Sequence, residues 1–284
     1  MLKIEIAASD GQGDVNEDVV GHEGNAAWVI DGATGIGGAL LEAPSDAAWL
    51  ARTASRLLAQ GLSHDPRVPT IDLLRAVMAG CAQALENEAV RPAEGHHELP
   101  SAAFAMVRII DGMAELTTLA DCRVIAEADG EARLFGVSTL DAIEARTLAA
   151  AKAMLDADPT ITPEALKARL MPGLRDNRRL MNREGGYWVL GTEPAAADHA
   201  WQVRIPVRPG QRFAVASDGF LRLVELFGTA RAEDLLAIST PADWARWLGH
   251  LREIEREPDS LHRHTRVKRH DDATLVTCTW EESR

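Results

Sequence analysis

Ala26-Ala27-Trp28-Val29-Ile30-Asp31-Gly32-Ala33-Thr34-Gly35 is an apolar run that breaks off at a carboxylate. A run of this kind buries itself as a strand, and the first polar residue beyond it is held at the edge of the core, where a ligand reaches it. The glycine that follows permits a tight turn, and at Gly32 it leaves a main-chain carbonyl free to join a binding site. The same grammar recurs at Arg212–Ala216, a second apolar run that ends in Ser217-Asp218-Gly219. It recurs in mirror image at Asp271-Asp272, which precede the apolar segment Thr274–Trp280. Glu17-Asp18 lies in a polar turn shortly before Ala26–Ile30.

Outward from these junctions, further strands are expected at Leu2–Ala8, Ala102–Ile110, Glu115–Leu119, Cys122–Ala128 and Trp201–Val207. The three in the middle are spaced for tight antiparallel connections through Asp111-Gly112 and Ala120-Asp121. Ser45 is a good N-cap for a helix that runs to Gln60, where Gly61 stops it. A second helix starts at Thr70, with Leu74, Val77, Met78, Cys81 and Leu85 at helical spacing. Helices also follow at Ala232–Ile238 and Asp243–Glu257. Asp141–Arg183 holds helical patches, Glu144–Leu155 and Pro163–Leu170, and then an Arg-rich stretch; it reads as a flap inserted around 141–187 of a single domain spanning 1–284. Hairpin-spaced strands mixed with helices favour an α+β fold over regular βαβ alternation.

The 284 residues are 46% hydrophobic and 26% charged, the balance of a globular chain with a full core. A formal net charge of −13 disfavours a broad nucleic-acid surface. Cys81, Cys122 and Cys278 are widely separated and read as small buried hydrophobes, with neither a disulfide framework nor a thiolate metal site. The N-terminus alternates like a strand and has no long apolar stretch, so a cytoplasmic protein without a membrane segment is expected.

Any single Asp-Gly pair is a common turn; it is the combination of strand-edge carboxylates that points to chemistry. Clustered carboxylates repel unless a cation lies between them, and an all-oxygen donor set suits Mg²⁺ or Mn²⁺. Asn16-Glu17-Asp18, Val29–Gly35, Leu119-Ala120-Asp121-Cys122-Arg123, Ala216–Phe220 and Asp271-Asp272-Ala273-Thr274, in that order, resemble the motifs of the type 2C (PPM-type) metal-dependent protein phosphatases, in a divergent, bacterial-like form. The resemblance spans nearly the whole chain. It implies a four-layer αββα sandwich, two central antiparallel β-sheets flanked by helices, with a two-ion Mn²⁺/Mg²⁺ site at one end. It also implies that Asp31 bridges the ions, Asp218 and Asp271 hold one, and the Gly32 carbonyl holds the other. Glu17 and Asp18 then act through bound water, and Asp121 matches an additional, weaker metal position. The implied activity is hydrolysis of phosphate monoesters, above all phosphoserine and phosphothreonine in proteins, opposite a partner kinase. A small-molecule phosphatase and a non-catalytic regulatory homologue are the alternatives on the same scaffold.

Three positions depart from the family pattern. Gly13 stands where the phosphate-binding arginine is usual, Ala33 where some members carry a histidine, and Arg222 where a further acidic ligand is frequent, which counts against a third ion. The basic run His262–His270 offers a substitute anchor for phosphate through Arg266, Lys268 and Arg269, and Arg175, Arg178, Arg179 and Arg183 form a second set. Asp31–Gly38 lacks the Lys-Ser/Thr of a P-loop, and Ser217 lacks a nucleophile elbow, so neither nucleotide binding nor serine-hydrolase chemistry is expected.

Overall fold

In a computed structural model that describes residues 1–282, the chain forms two five-stranded antiparallel sheets packed face to face. In chain order the strands are β1 (Leu2–Asp10), β2 (Asp18–Glu23), β3 (Ala26–Gly32), β4 (Ala102–Ile110), β5 (Met113–Leu119), β6 (Arg123–Ala128), β7 (Glu131–Phe135), β8 (Trp201–Pro206), β9 (Arg212–Ala216) and β10 (Ala273–Trp280). One sheet has the order β1-β10-β9-β6-β7 and the other β2-β3-β4-β5-β8. Helices α1 (Asp46–His64) and α2 (Thr70–Glu88) precede α3 (Asp141–Ala157) and α4 (Pro163–Arg178). Helices α5 (Asp218–Glu225), α6 (Ala232–Leu236), α7 (Pro241–Arg256) and α8 (Ser260–Arg263) complete the set. Among the described residues no helix is long and apolar enough to cross a membrane.

The four layers follow from strands that are apolar on both faces. Ala27 and Val29 of β3 join Phe213, Val215, Val276 and Cys278 in the core between the sheets. Ala26, Trp28 and Ile30, on the opposite face, pack against α1 and α2. Ala214, Ala216 and Leu275 likewise face α5 and α7. Because side chains alternate along a strand, Asp31 continues the inward row of Ala27 and Val29. Its register partner Asp18 continues the row of Val20. Both carboxylates are thus delivered to one end of the inter-sheet core.

Several expectations change in the fold. The polar turn at Glu17-Asp18 is the start of β2, whose residues pair with β3 from Asp18↔Asp31 to Glu23↔Ala26. Ala102–Ile110 and Met113–Leu119 do form a hairpin, but Ala120-Asp121-Cys122 is no third tight turn. It crosses between the sheets, and β6 pairs with β7 and β9. Gly61 lies inside α1 instead of ending it; a Cβ there would stand 2.5 Å from Leu73 Cδ1, so the glycine allows α1 and α2 to approach. The helical patches at 144–155 and 163–170 extend to α3 and α4, which carry Arg175 and Arg178 on helix instead of on a loop. They share a small cluster of Ala151, Leu155, Leu166 and Leu170, against which Val267 packs. The three cysteines are free and buried.

The glycines after Asp31 and Asp218 are not turn residues: Gly32 ends β3 and Gly219 lies in the first turn of α5. They are places where chains nearly touch. A Cβ at Gly32 would meet the Glu17 carbonyl oxygen at 2.6 Å, and one at Gly219 would meet the Asp272 carbonyl oxygen at 1.9 Å. Gly219→Ala is therefore expected to destabilise the fold by about 3 kcal/mol, since backbone cannot yield as a side-chain tip would. Chemical denaturation measures it, and an unchanged midpoint would show that α5 can shift away from β10.

Candidate metal centre

Asp31 ends β3, Asp218 opens α5, Asp121 sits in the β5–β6 crossover and Asp271 precedes β10. All four line one cleft of about 690 Å³ at the end of the sandwich. Gly32, Thr34, Arg178, Arg222 and Lys268 line it too. Asp18 lies behind Asp31, 6% exposed, and neither of its carboxylate oxygens has a hydrogen-bond partner. Ser217 and Thr274 stand close enough to draw its pKa down, yet neither is placed to bond it. Burial wins, with help from the charges of Asp272 and Asp271, and lifts Asp18 to about 7.

The remaining carboxyls are perturbed in the same direction, with one exception. Burial, then the charges of Asp18 and Asp218, hold Asp31 well above the ordinary carboxylate range. Burial and the charges of Asp218 and Glu144 do the same for Asp121. Asp218 is raised by burial and by Asp271, against the opposing pull of Arg222. Asp271 alone is lowered: burial would raise it, but Lys268 and Arg222 outweigh burial. These are acids crowded together in a place that disfavours their charge, the situation a hard divalent cation relieves.

The donor chemistry fits Mg²⁺ or Mn²⁺: oxygen atoms only, several of them anionic, with both Asp18 oxygens unpartnered. Among the described residues, however, no three acidic, histidine or cysteine side chains already converge on a common point. Asp218 and Asp31 crowd each other, and Asp271 is engaged by cations. An ion would have to draw the carboxylates towards itself.

The sites expected from the sequence are distributed unevenly around the cleft. Glu17 is held at α1's N-cap: Ser45 Oγ and Thr34 Oγ1 donate to its two oxygens, each at 2.5 Å. Asp272 turns away from the cleft and accepts from the backbone N–H groups of Gln12 and Glu17, at 2.9 and 2.7 Å, so it anchors the loop before β2. Gly13 is exposed in that loop. Arg266 is 4% exposed, but its guanidinium donates to the carbonyls of Arg269, Ser260 and His264 and lies over the Phe227 ring. Arg269 donates to the carbonyls of Glu255 and Glu257. Arg266 thus holds the loop's own backbone, and Arg269 ties the loop to the end of α7. Of the three cations of this run expected to meet phosphate, Arg266 and Lys268 line the cleft; Arg266 is spent on carbonyls, while Lys268 donates to Asp271 Oδ1 at 3.2 Å and Thr34 Oγ1 at 3.1 Å.

From the second basic set, Arg178 stands apart. It is 8% exposed at the end of α4 and donates from Nη1 to Ser101 Oγ at 2.9 Å and from Nη2 to the Thr34 carbonyl at 3.2 Å. Burial draws its pKa down, and among the described residues no carboxylate pairs with it. Glu255 of α7 has no distinguishing mark in the sequence, yet it is fully buried and joins Arg222, Arg252 and His270, at 2.7, 2.6 and 3.1 Å. An arginine inside an Arg-rich stretch, or a glutamate on an amphipathic helix, looks solvated in sequence; only the packing of α4 and α7 buries them.

No family model matches the sequence, and no curated protein matches it. Solved structures do. The serine/threonine phosphatase PstP/Ppp of Mycobacterium tuberculosis is 18% identical, with 99% of each chain covered and a TM-score of 0.58. The catalytic domain of PstP in complex with two manganese ions is also 18% identical, covering 99% of this chain and 100% of that one, TM-score 0.55. Stp1, a serine/threonine phosphatase of Staphylococcus aureus, is 12% identical, covering 99% and 96%, TM-score 0.59. The chain has the fold of these PPM-type phosphatases, an α+β sandwich of two antiparallel sheets flanked by helices.

Proposed function

We propose that this protein is a metal-dependent phosphatase that hydrolyses phosphate monoesters, with phosphoserine and phosphothreonine in proteins as its substrates. The observation that carries this reading is the meeting of Asp31, Asp121, Asp218 and Asp271 in one cleft, with Asp18 buried and unpartnered beside Asp31. Such a cluster costs stability unless it binds a cation. The same fold in PstP is described with two manganese ions, which supports Mn²⁺ or Mg²⁺ here.

Asp31 would be the central ligand, since it faces Asp18, Asp218 and Asp121 at once, with Asp218 beside it and the Gly32 carbonyl at the cleft wall. Asp18, and Glu17 beyond it, would orient ligated water. The chemistry that a bound divalent ion supplies is a lowered pKa for the attacking water and neutralisation of the phosphoryl oxygens. The chain's own part is to bind and orient the phosphate. Arg178 suits that role, because its guanidinium is fixed by Ser101 and the Thr34 carbonyl and lacks an acidic partner among the described residues. It would supply from α4 the anchor that Gly13 does not provide. Lys268 offers a second positive charge across the cleft.

Turnover of a phosphothreonine peptide and of a generic aryl phosphate, each with Mn²⁺, Mg²⁺ or chelator, tests the reading. Metal-dependent turnover of the peptide is expected. Turnover of the aryl ester alone would favour a small phosphorylated substrate, a reading that the exposed, arginine-free loop at Gly13 supports. Turnover of neither, with no Mn²⁺ uptake, would leave a non-catalytic homologue. Arg178→Ala is expected to raise KM about tenfold or more with a smaller change in kcat, the loss of a charge-assisted contact made in ground and transition states alike. Arg178→Lys should recover little, because a compact ammonium lacks the planar fork that reaches Ser101, the Thr34 carbonyl and a phosphate from separate nitrogens. An unchanged KM in both variants would remove Arg178 from the substrate site.

A further inference from the structure

Both oxygens of Asp271 are already engaged by cations of the chain. Its Oδ1 accepts from Lys268 Nζ at 3.2 Å and its Oδ2 from Arg222 Nη2 at 2.8 Å. Neither cation is a loosely held surface group. The other end of the Arg222 guanidinium is bound to Glu255 Oε1 at 2.7 Å, and Glu255 is in turn bound by Arg252, which reaches Asp10 at 2.8 Å. Arg222 is therefore clamped between α5, α7 and the approach to β10. Lys268 is tied to Thr34 Oγ1, which donates onward to Glu17.

The surroundings of the Lys268 ammonium matter more than any single bond. Its Nζ lies 3.2 Å from Asp271 Oδ1, in the cleft that Asp31 and Asp218 also line. A monocation bonded to Asp271 in this cleft competes with any divalent ion that Asp271 would help to hold. The ammonium is covalently part of the chain. On the other side of Asp31, Asp18 has both oxygens unpartnered, and the charges that act on it, those of Asp272 and Asp271, are negative. Charge compensation is thus lopsided: supplied by the protein at Asp271, lacking at Asp18.

We propose that the Lys268 ammonium, with Arg222 locking Asp271 beside it, takes the place of one of two divalent ions, so that the protein binds a single ion on the Asp18 side of Asp31. The proposal rests on the metal-dependent reading above and narrows it. Lys268 is then a built-in cation that neutralises Asp218 and Asp271 and presents positive charge to the phosphate without being exchangeable or removable by chelator.

Calorimetric titration of the metal-stripped full chain with Mn²⁺ tests this. Wild type is expected to bind one ion. Lys268→Met, which keeps the stem and removes the charge, is expected to bind a second; Lys268→Arg, which keeps the charge, is expected to bind one. The spin spectrum of bound Mn²⁺ gives an independent readout, an isolated ion in wild type and an exchange-coupled pair in Lys268→Met. Two ions in wild type would overturn the proposal and leave the metal-dependent reading standing. One ion in both wild type and Lys268→Met, with unchanged affinity, would also overturn it. No uptake by any folded variant, with folding verified by circular dichroism, would instead overturn the metal-dependent reading itself.

Discussion

Asp31→Asn is expected to lower metal-dependent turnover by more than about a hundredfold and to raise the melting temperature of the metal-free protein. The first effect follows from the position of Asp31 at the end of β3, where its carboxylate faces those of Asp18, Asp218 and Asp121; loss of even a supporting group around a metal costs about ten- to a hundredfold. The second follows from the same crowding. An amide keeps the shape, while one anion leaves a place that disfavours anions. The pH dependence has a definite sign. Asp18 ionises near 3.8 as an unperturbed aspartate and near 7 in the fold, so the folded state holds its proton more tightly. Metal-free stability therefore falls as pH rises across that interval, and metal affinity rises across it, because the ion competes with the proton. Scanning calorimetry with chelator at pH 5 and pH 8 reads the slope directly. Undiminished turnover in Asp31→Asn, or a melting temperature lower than wild type, would remove Asp31 from the centre.

Glu255→Ala is expected to destabilise the protein by about 3–5 kcal/mol, the loss found when one partner of a buried ion pair is deleted and the rest is stranded. Glu255 is fully buried and accepts from both Arg222 and Arg252, so its removal leaves two buried guanidinium groups short of a counter-charge. Arg222 retains Asp271 and Arg252 retains Asp10, which keeps the loss from being larger. Glu255→Gln should cost less, because it preserves one acceptor for the guanidinium groups. Urea denaturation distinguishes the two variants. Equal stability of wild type and Glu255→Ala would mean that the network reorganises freely, and the clamp on Arg222 would fall with it.

Legibility in the sequence tracks the range of the interaction. The runs that end at Asp31 and Asp218 are local features, apolar on both faces, and they form β3 and β9. β2 is hidden because it carries a single apolar pair, Val19-Val20, and owes its strand character to pairing with β3. β7 is signalled by Asp129-Gly130, whose positive φ values of 54° and 83° make the β6–β7 turn, but its exposed, mixed side chains lack alternation. The break between β5 and β6 has no local mark: Ala120-Asp121 looks like the other Asp-containing turns, and only the second sheet gives β6 a place to go. The basic run misleads for a related reason. Arg266, Lys268 and Arg269 are alike in sequence, and the loop before β10 turns two of them onto backbone carbonyls and one onto the Asp271 carboxylate.

By itself the sequence determined which residue types stand at the ends of the strands, and so the acidic, oxygen-rich chemistry of the cleft, because burial of an apolar run and the position of the next polar residue are set within a few residues. Only the tertiary structure decided which charges answer which. That Asp271 is paired with Arg222 and Lys268 while Asp18 is left without a partner depends on α5, α7 and the loop before β10 arriving together, and electrostatic partners fixed by distance through space have no signature along the chain.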